Sequence, residues 1–182
     1  MKSVSSVTTV IKVVAAIALT GAAGTAAAQT NSHVGDIPQA IRLEHENTIS
    51  QLTELSHKRG PVGVEARKAL VLFKKHLARE EEFILPPLTL LPLLAGGKVT
   101  PDMKWAVAMA DRTKAEREET FIEHTRITDA MNSLAAAARN AHDPVALEFA
   151  QSAVADSLND IEITEPTSVV IGDYIRNKLA GQ

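Results

Sequence analysis

The chain has 182 residues, a formal net charge of −3, 3% aromatic residues and no cysteine. Less a removable leader, that length makes one domain with a sizeable core. The missing cysteine excludes disulfides, thiolate metal sites and a thiol nucleophile, and the mildly acidic balance offers no electrostatic footprint for nucleic acid. Ala and Leu dominate, which favours helices over sheets.

Residues 1–28 read as a secretory signal peptide. Lys2 and Lys12 are followed by the apolar run Val13 to Leu19, and small residues ending in Ala26-Ala27-Ala28 precede Gln29. The apolar run is shorter than the roughly 20 residues of a spanning helix. The expectation is therefore cleavage after Ala28, a periplasmic or secreted mature chain, and no stable membrane insertion. Residues 29–36 form a linker, and 37–182 the folded domain.

The domain parses into helices with readable stops. The first is expected from about Pro38 to His57, entered by Asp36 as N-cap and ended by Gly60-Pro61. The second runs from about Val64 to Ile84 and stops before Pro86-Pro87, and residues 85–97 form an irregular apolar connection. Thr100-Pro101-Asp102 opens a long helix reaching about Arg139, with a bend expected between Arg112 and Glu116. Asp143-Pro144 caps a fourth helix that ends near Pro166, and a short final helix covers about Ser168 to Leu179. The fold class is all-α: an antiparallel up-down four-helix bundle with a short C-terminal extra helix.

Two segments about eighty residues apart carry matching side chains. Glu44-His45 and Glu123-His124 are 79 apart, and each His is followed at the same helical offsets by apolar residues, Leu52 and Leu55 in one case, Met131 and Leu134 in the other. His76 and Glu80 precede Pro86 by the same intervals at which Asp156 and Asp160 precede Pro166. The doubled hairpin points His45, His76, Glu80, His124, Asp156 and Asp160 toward one another, which is how a bundle holds a metal. On the second helix Leu72, His76, Glu80 and Phe83 share one face, and on the fourth Phe149, Ala153, Asp156, Asp160 and Ile163 form the corresponding stripe. Carboxylates in such a stripe cost several kcal/mol unless something compensates them. A divalent or trivalent metal does so.

Other polar residues read as structure. His57, Lys58 and Arg59 complement the dipole of the first helix, while His33 and His142 are expected at the surface. Glu44, Glu81, Glu82 and Glu123 are expected on solvated faces, with Glu81 in reach of a supporting role. Trp105 and Met109 read as helical packing.

The stretches LEHENTISQLTEL, HLAREEEFILPPL and EHTRITDAMNSL resemble the hemerythrin-like family, also called the HHE cation-binding domain, and EPTSVVIGDYI resembles its closing helix. The resemblance covers roughly Ile37 to Leu179. It implies a four-helix bundle with a non-haem di-iron centre, dioxygen or peroxide as the small ligand, His45, His76 and His124 as terminal nitrogen ligands, and Glu80 as a bridging carboxylate. The fourth helix departs from the pattern: Asp156 stands where the family has His, and Asp160 where it has the second bridging Glu. Asp is one methylene shorter than Glu, and an anionic oxygen replaces a neutral imidazole. Hard anionic donors favour ferric iron, so the expected site consumes oxygen or peroxide rather than binding oxygen reversibly. Oxygen and imidazole ligands suit zinc and manganese as well. Three classes stay open: a binding or sensing protein, a di-iron peroxidase or oxidase, and a metal-free interaction module. The sequence assigns no catalytic residue, reductant or oligomeric state.

Overall fold

A computed structural model of the chain describes residues 37–181 and contains no strand among them; all of its regular structure is helical. The leader, the linker and the Asp36 cap lie outside the described residues, as does His33. Helix α1 (Gln39–Ser56) follows Pro38 directly. Helix α2 (Pro61–Arg79) opens at Gly60, whose φ of 80° suits glycine, and Pro61 occupies the first turn, where a missing N–H loses nothing.

Past Arg79 the chain keeps turning, but in a wider register. Residues Glu80–Ile84 form a π turn closed by the Leu85 N–H donating to the Glu80 carbonyl at 2.8 Å. The apolar connection expected to be irregular is instead helical: a 3₁₀ segment (Pro86–Leu90) and the single-turn helix α3 (Leu91–Ala95). A 3₁₀ turn (Pro101–Met103) leads into α4 (Lys104–Ala115), and α5 spans Arg117–Asn140. The break between them falls at Glu116, inside the interval where a bend is expected, and the Glu116 carboxylate accepts from Arg79 Nη2 and Arg112 Nε, each at 2.7 Å.

Helix α6 (Pro144–Asn159) is capped by Asp143, whose Oδ1 accepts from the Ala146 N–H at 3.2 Å. A second π turn, Asp160–Thr164, follows, closed by the Glu165 N–H on the Asp160 carbonyl. Helix α7 (Glu165–Ala180) continues from it without a gap. The final helix is therefore 16 residues long rather than short, and Pro166 does not stop the chain, because it sits in the first turn of α7.

Two packed groups result. Helix α1 packs on α2, α2 on α5, α5 on α6, and α6 reaches α1. Leu52, Leu55, Met131, Leu134, Ala66, Ala69 and Ala150 fill the space between them. Full burial of a side chain such as Leu52, Met131 or Leu134 contributes roughly 1.5–3 kcal/mol. Helix α4 packs on α7 over a second core of Leu85, Leu88, Met103, Ala106, Ile171 and Ile175. Ile163, expected on the inward stripe of the fourth helix, faces out at 58% exposed, and Val170 of α7 is 64% exposed. No helix among the described residues is long and apolar enough to cross a membrane.

Candidate metal centre

Three helices deliver buried histidines to one place. His45 lies seven residues before Leu52 and His124 seven before Met131, so each shares its helix face with a fully buried apolar anchor. His76 is buried one turn before Glu80, and Glu80, at the head of the first π turn, is 1% exposed. One pocket is lined by His45, His76, His124, Phe73, Asp156 and Asp160.

Within it, Glu80 uses its two oxygens toward two different histidines. Glu80 Oε1 lies 3.2 Å from His76 Nε2, and Glu80 Oε2 lies 3.8 Å from His45 Nε2. His76, Glu80 and His124 present ligand atoms that all lie within 4.8 Å of one another. The rings of His76 and His124 meet edge-on with centroids 4.2 Å apart. The 3.2 Å pair is not aligned as a hydrogen bond: His76 Nε2 and Glu80 Oε1 are both buried with no hydrogen-bond partner, and so is His45 Nδ1. Buried nitrogen and carboxylate oxygen left this way cost several kcal/mol, and a cation between them removes the cost.

Outer groups fix the rings. His76 Nδ1 lies 3.4 Å from Glu123 Oε2, and Glu123 is held in turn by Arg79 Nη1 and Lys75 Nζ, also at 3.4 Å. His124 Nδ1 lies 3.0 Å from Ser157 Oγ and its Nε2 lies 2.9 Å from Glu165 Oε1. His45 Nδ1 is 3.8 Å from Glu81 Oε1, which places Glu81 beside the centre. Contrary to expectation, Glu123 is buried rather than solvated.

The charges respond to this crowding. Burial pushes the Glu80 carboxyl up, but the adjacent His76, with His45 and His124 behind it, prevails and holds it below its ordinary value. For His76, burial disfavours the charged ring, and the carboxylates of Glu80 and Glu123 outweigh it, so its pKa is raised. Asp160 is pushed up to about 7 by burial, with the Glu80 charge adding to the effect.

The fourth-helix aspartates are placed unequally. Asp160 is half-buried in the pocket, whereas Asp156 is exposed at its mouth beside Glu44. Burial and then the charge of Asp156 raise the Glu44 carboxyl, and burial raises Asp156 itself. Glu165, which drew no attention in the sequence, is 7% exposed and touches His124. It also lines a cleft of about 800 Å³ bounded by Lys114, Arg117, Phe121, Val169 and Val170. His57 and His142 lie on the surface, away from the centre.

Comparison of the chain with family models, with curated proteins and with solved structures gives no match. What the site can do therefore rests on its own donors. A buried His76, Glu80 and His124 cluster can hold a metal ion, and its mixed imidazole and carboxylate donors fit iron as well as zinc or manganese.

Proposed function

We propose that the chain is an exported hemerythrin-like protein in which α1, α2, α5 and α6 form a four-helix bundle around a non-haem di-iron centre. The observation that carries this reading is the set of unpartnered buried donors, His45 Nδ1, His76 Nε2 and Glu80 Oε1, in a pocket that three helices supply with histidine. Glu80 directs one oxygen toward His45 and the other toward His76, which supports its reading as the bridging carboxylate of that centre. His45, His76 and His124 are the nitrogen donors, and Glu123 and Ser157 orient two of the rings from behind. Iron held there supplies a ferrous–ferric couple suited to binding, sensing or reducing dioxygen or peroxide. Phe73, half-buried, lines the same pocket and meets the His45 ring edge-on. The leader supports export, which the mass of the mature chain tests: it should begin at Gln29.

Protein purified without a His-tag should hold up to two irons per chain, and His76→Ala or Glu80→Ala should each remove most of the metal. Iron binding should also raise the melting temperature, since a ligand at 100 times its Kd stabilises by about 2.7 kcal/mol, or roughly 5–10 °C for a domain of this size. Full iron content in both variants would refute the assignment. A second reading, a di-iron peroxidase or oxidase, is favoured by the cleft that reaches Glu165, where an organic electron donor has room. Steady turnover of peroxide with such a donor distinguishes it from a carrier or sensor.

A further inference from the structure

We infer that Glu165 is a metal ligand, paired with His124 as Glu80 is paired with His76, so that α7 completes the half of the centre that α6 leaves short. The inference rests on the metal reading above and adds to it a donor outside the set His45, His76, Glu80, His124, Asp156 and Asp160.

Four observations meet at this residue. The first is the likeness of the two pairs. His76 has its Nδ1 tied to Glu123 and its Nε2 at 3.2 Å from a carboxylate oxygen; His124 has its Nδ1 tied to Ser157 and its Nε2 at 2.9 Å from a carboxylate oxygen. Two donors bound to one first-row metal through bonds near 2.1 Å lie about 3.0–3.4 Å apart. The His76–Glu80 pair has the spacing of neighbouring ligands, and the His124–Glu165 pair, at 2.9 Å, lies just below it. With the His124 proton on Nδ1, donated to Ser157 Oγ, the Nε2 lone pair faces the Glu165 oxygen and a cation between them relieves the repulsion; with the proton on Nε2 the same contact is a hydrogen bond.

The second is backbone register. Glu165 stands five residues after Asp160, as Leu85 stands five after Glu80, and each N–H closes its π turn. In an α-helix the fifth residue points well away from the first, at about 100° per residue. The wider turn brings it back toward the same side, and in the second half that position carries a carboxylate instead of an apolar side chain.

The third is the weakness of the alternatives on α6 and the π turn that follows it. Asp156 is exposed at the mouth of the pocket, and Asp160 has the shorter side chain. The fourth is access: Glu165 lines the 800 Å³ cleft as well as contacting the buried His124, so a metal on this pair would have one side open to a small molecule.

The test uses the full mature chain. Parent, Glu165→Gln and Glu165→Leu are loaded with ferrous iron without oxygen, and both stoichiometry and affinity against a competing chelator are measured. Leu is the residue at the matching position of the first half, so it keeps an apolar filling if Gln disturbs folding; far-UV circular dichroism checks both. The expected result is loss of one iron per chain, or affinity lowered by about 10–100-fold, in both variants. Parental stoichiometry and affinity in either folded variant would overturn the inference alone. A parent chain that holds no iron overturns the metal reading and this inference with it.

Discussion

At the scale of residues, adjacent Glu123 and His124 both reach the interior, although they point about 100° apart on α5. Helix α5 packs against both α2 and α6 and meets the first residue of α7, so Glu123 reaches His76 and Arg79 while His124 reaches Ser157 and Glu165. If the cluster holds the proposed iron, Glu123→Ala should lower the affinity for it about 10–100-fold, because it frees the His76 ring to turn. It also leaves the half-buried Arg79 with its partners Glu116 and Glu119, which keeps the fold cost small. Competition with a chelator measures the first effect and thermal unfolding of the metal-free protein the second; unchanged affinity would show that Glu123 does not position the ring. His45, His76, Glu80 and His124 were legible in the sequence because each sits at a helical spacing from an apolar anchor. Glu123 and Glu165 were not. The first looks like a solvated neighbour until helices are known to cover both flanks, and the second lies off the Asp156–Asp160 face until the π turn is known.

At the scale of elements, caps and close crossings set the cost of change. Asp143 caps α6 and is bonded to Lys58, and this neighbour holds its carboxyl below the ordinary value of 3.8. Asp143→Ala should cost about 1 kcal/mol. A depressed folded-state pKa means that the stabilisation is complete above the ordinary value and is lost as the pH falls through the folded one. The gap between parent and variant in urea unfolding should therefore narrow below about pH 4; a gap independent of pH would assign the effect to something other than the charge. Gly172 is different in kind. A Cβ there would lie 2.2 Å from Ala110 Cβ and 3.1 Å from the Ala106 carbonyl, so α4 and α7 touch at backbone distance. Gly172→Ala should destabilise by about 1–3 kcal/mol through forced separation, read as a lower urea midpoint; an unchanged midpoint would show that the crossing yields.

At the scale of the whole molecule, the helical class, the Asp143 cap and the break near Glu116 followed from sequence, since capping residues and proline act within one turn. The pairing of α4 with α7 did not, because it depends on where the chain travels after that break. The long third helix expected from sequence is two helices with separate partners, and the C-terminal helix is a full layer over the second core. Both π turns stand at the joins, one after α2 and one after α6, 80 residues apart.

Each of those turns contains one residue more than an α-helix would use between the same hydrogen-bonding groups. The reading frame of everything downstream is therefore set by length, not only by side chains. Removing one exposed residue such as Ile163 would let the segment relax to α geometry. It would turn α7 by about 100° and draw it in by roughly 1.5 Å relative to α6. Ile171 and Ile175 would move to the places that Val170 and Tyr174 now hold toward solvent, and Glu165 would leave His124. A one-residue deletion there should cost more stability than any single substitution at the same position, whereas an equal cost for the Ile163 deletion and Ile163→Ala would show that the frame is not fixed at this turn. In a protein built this way, insertions and deletions at two points of the chain are the mutations that reach the candidate centre without touching His45, His76, Glu80 or His124.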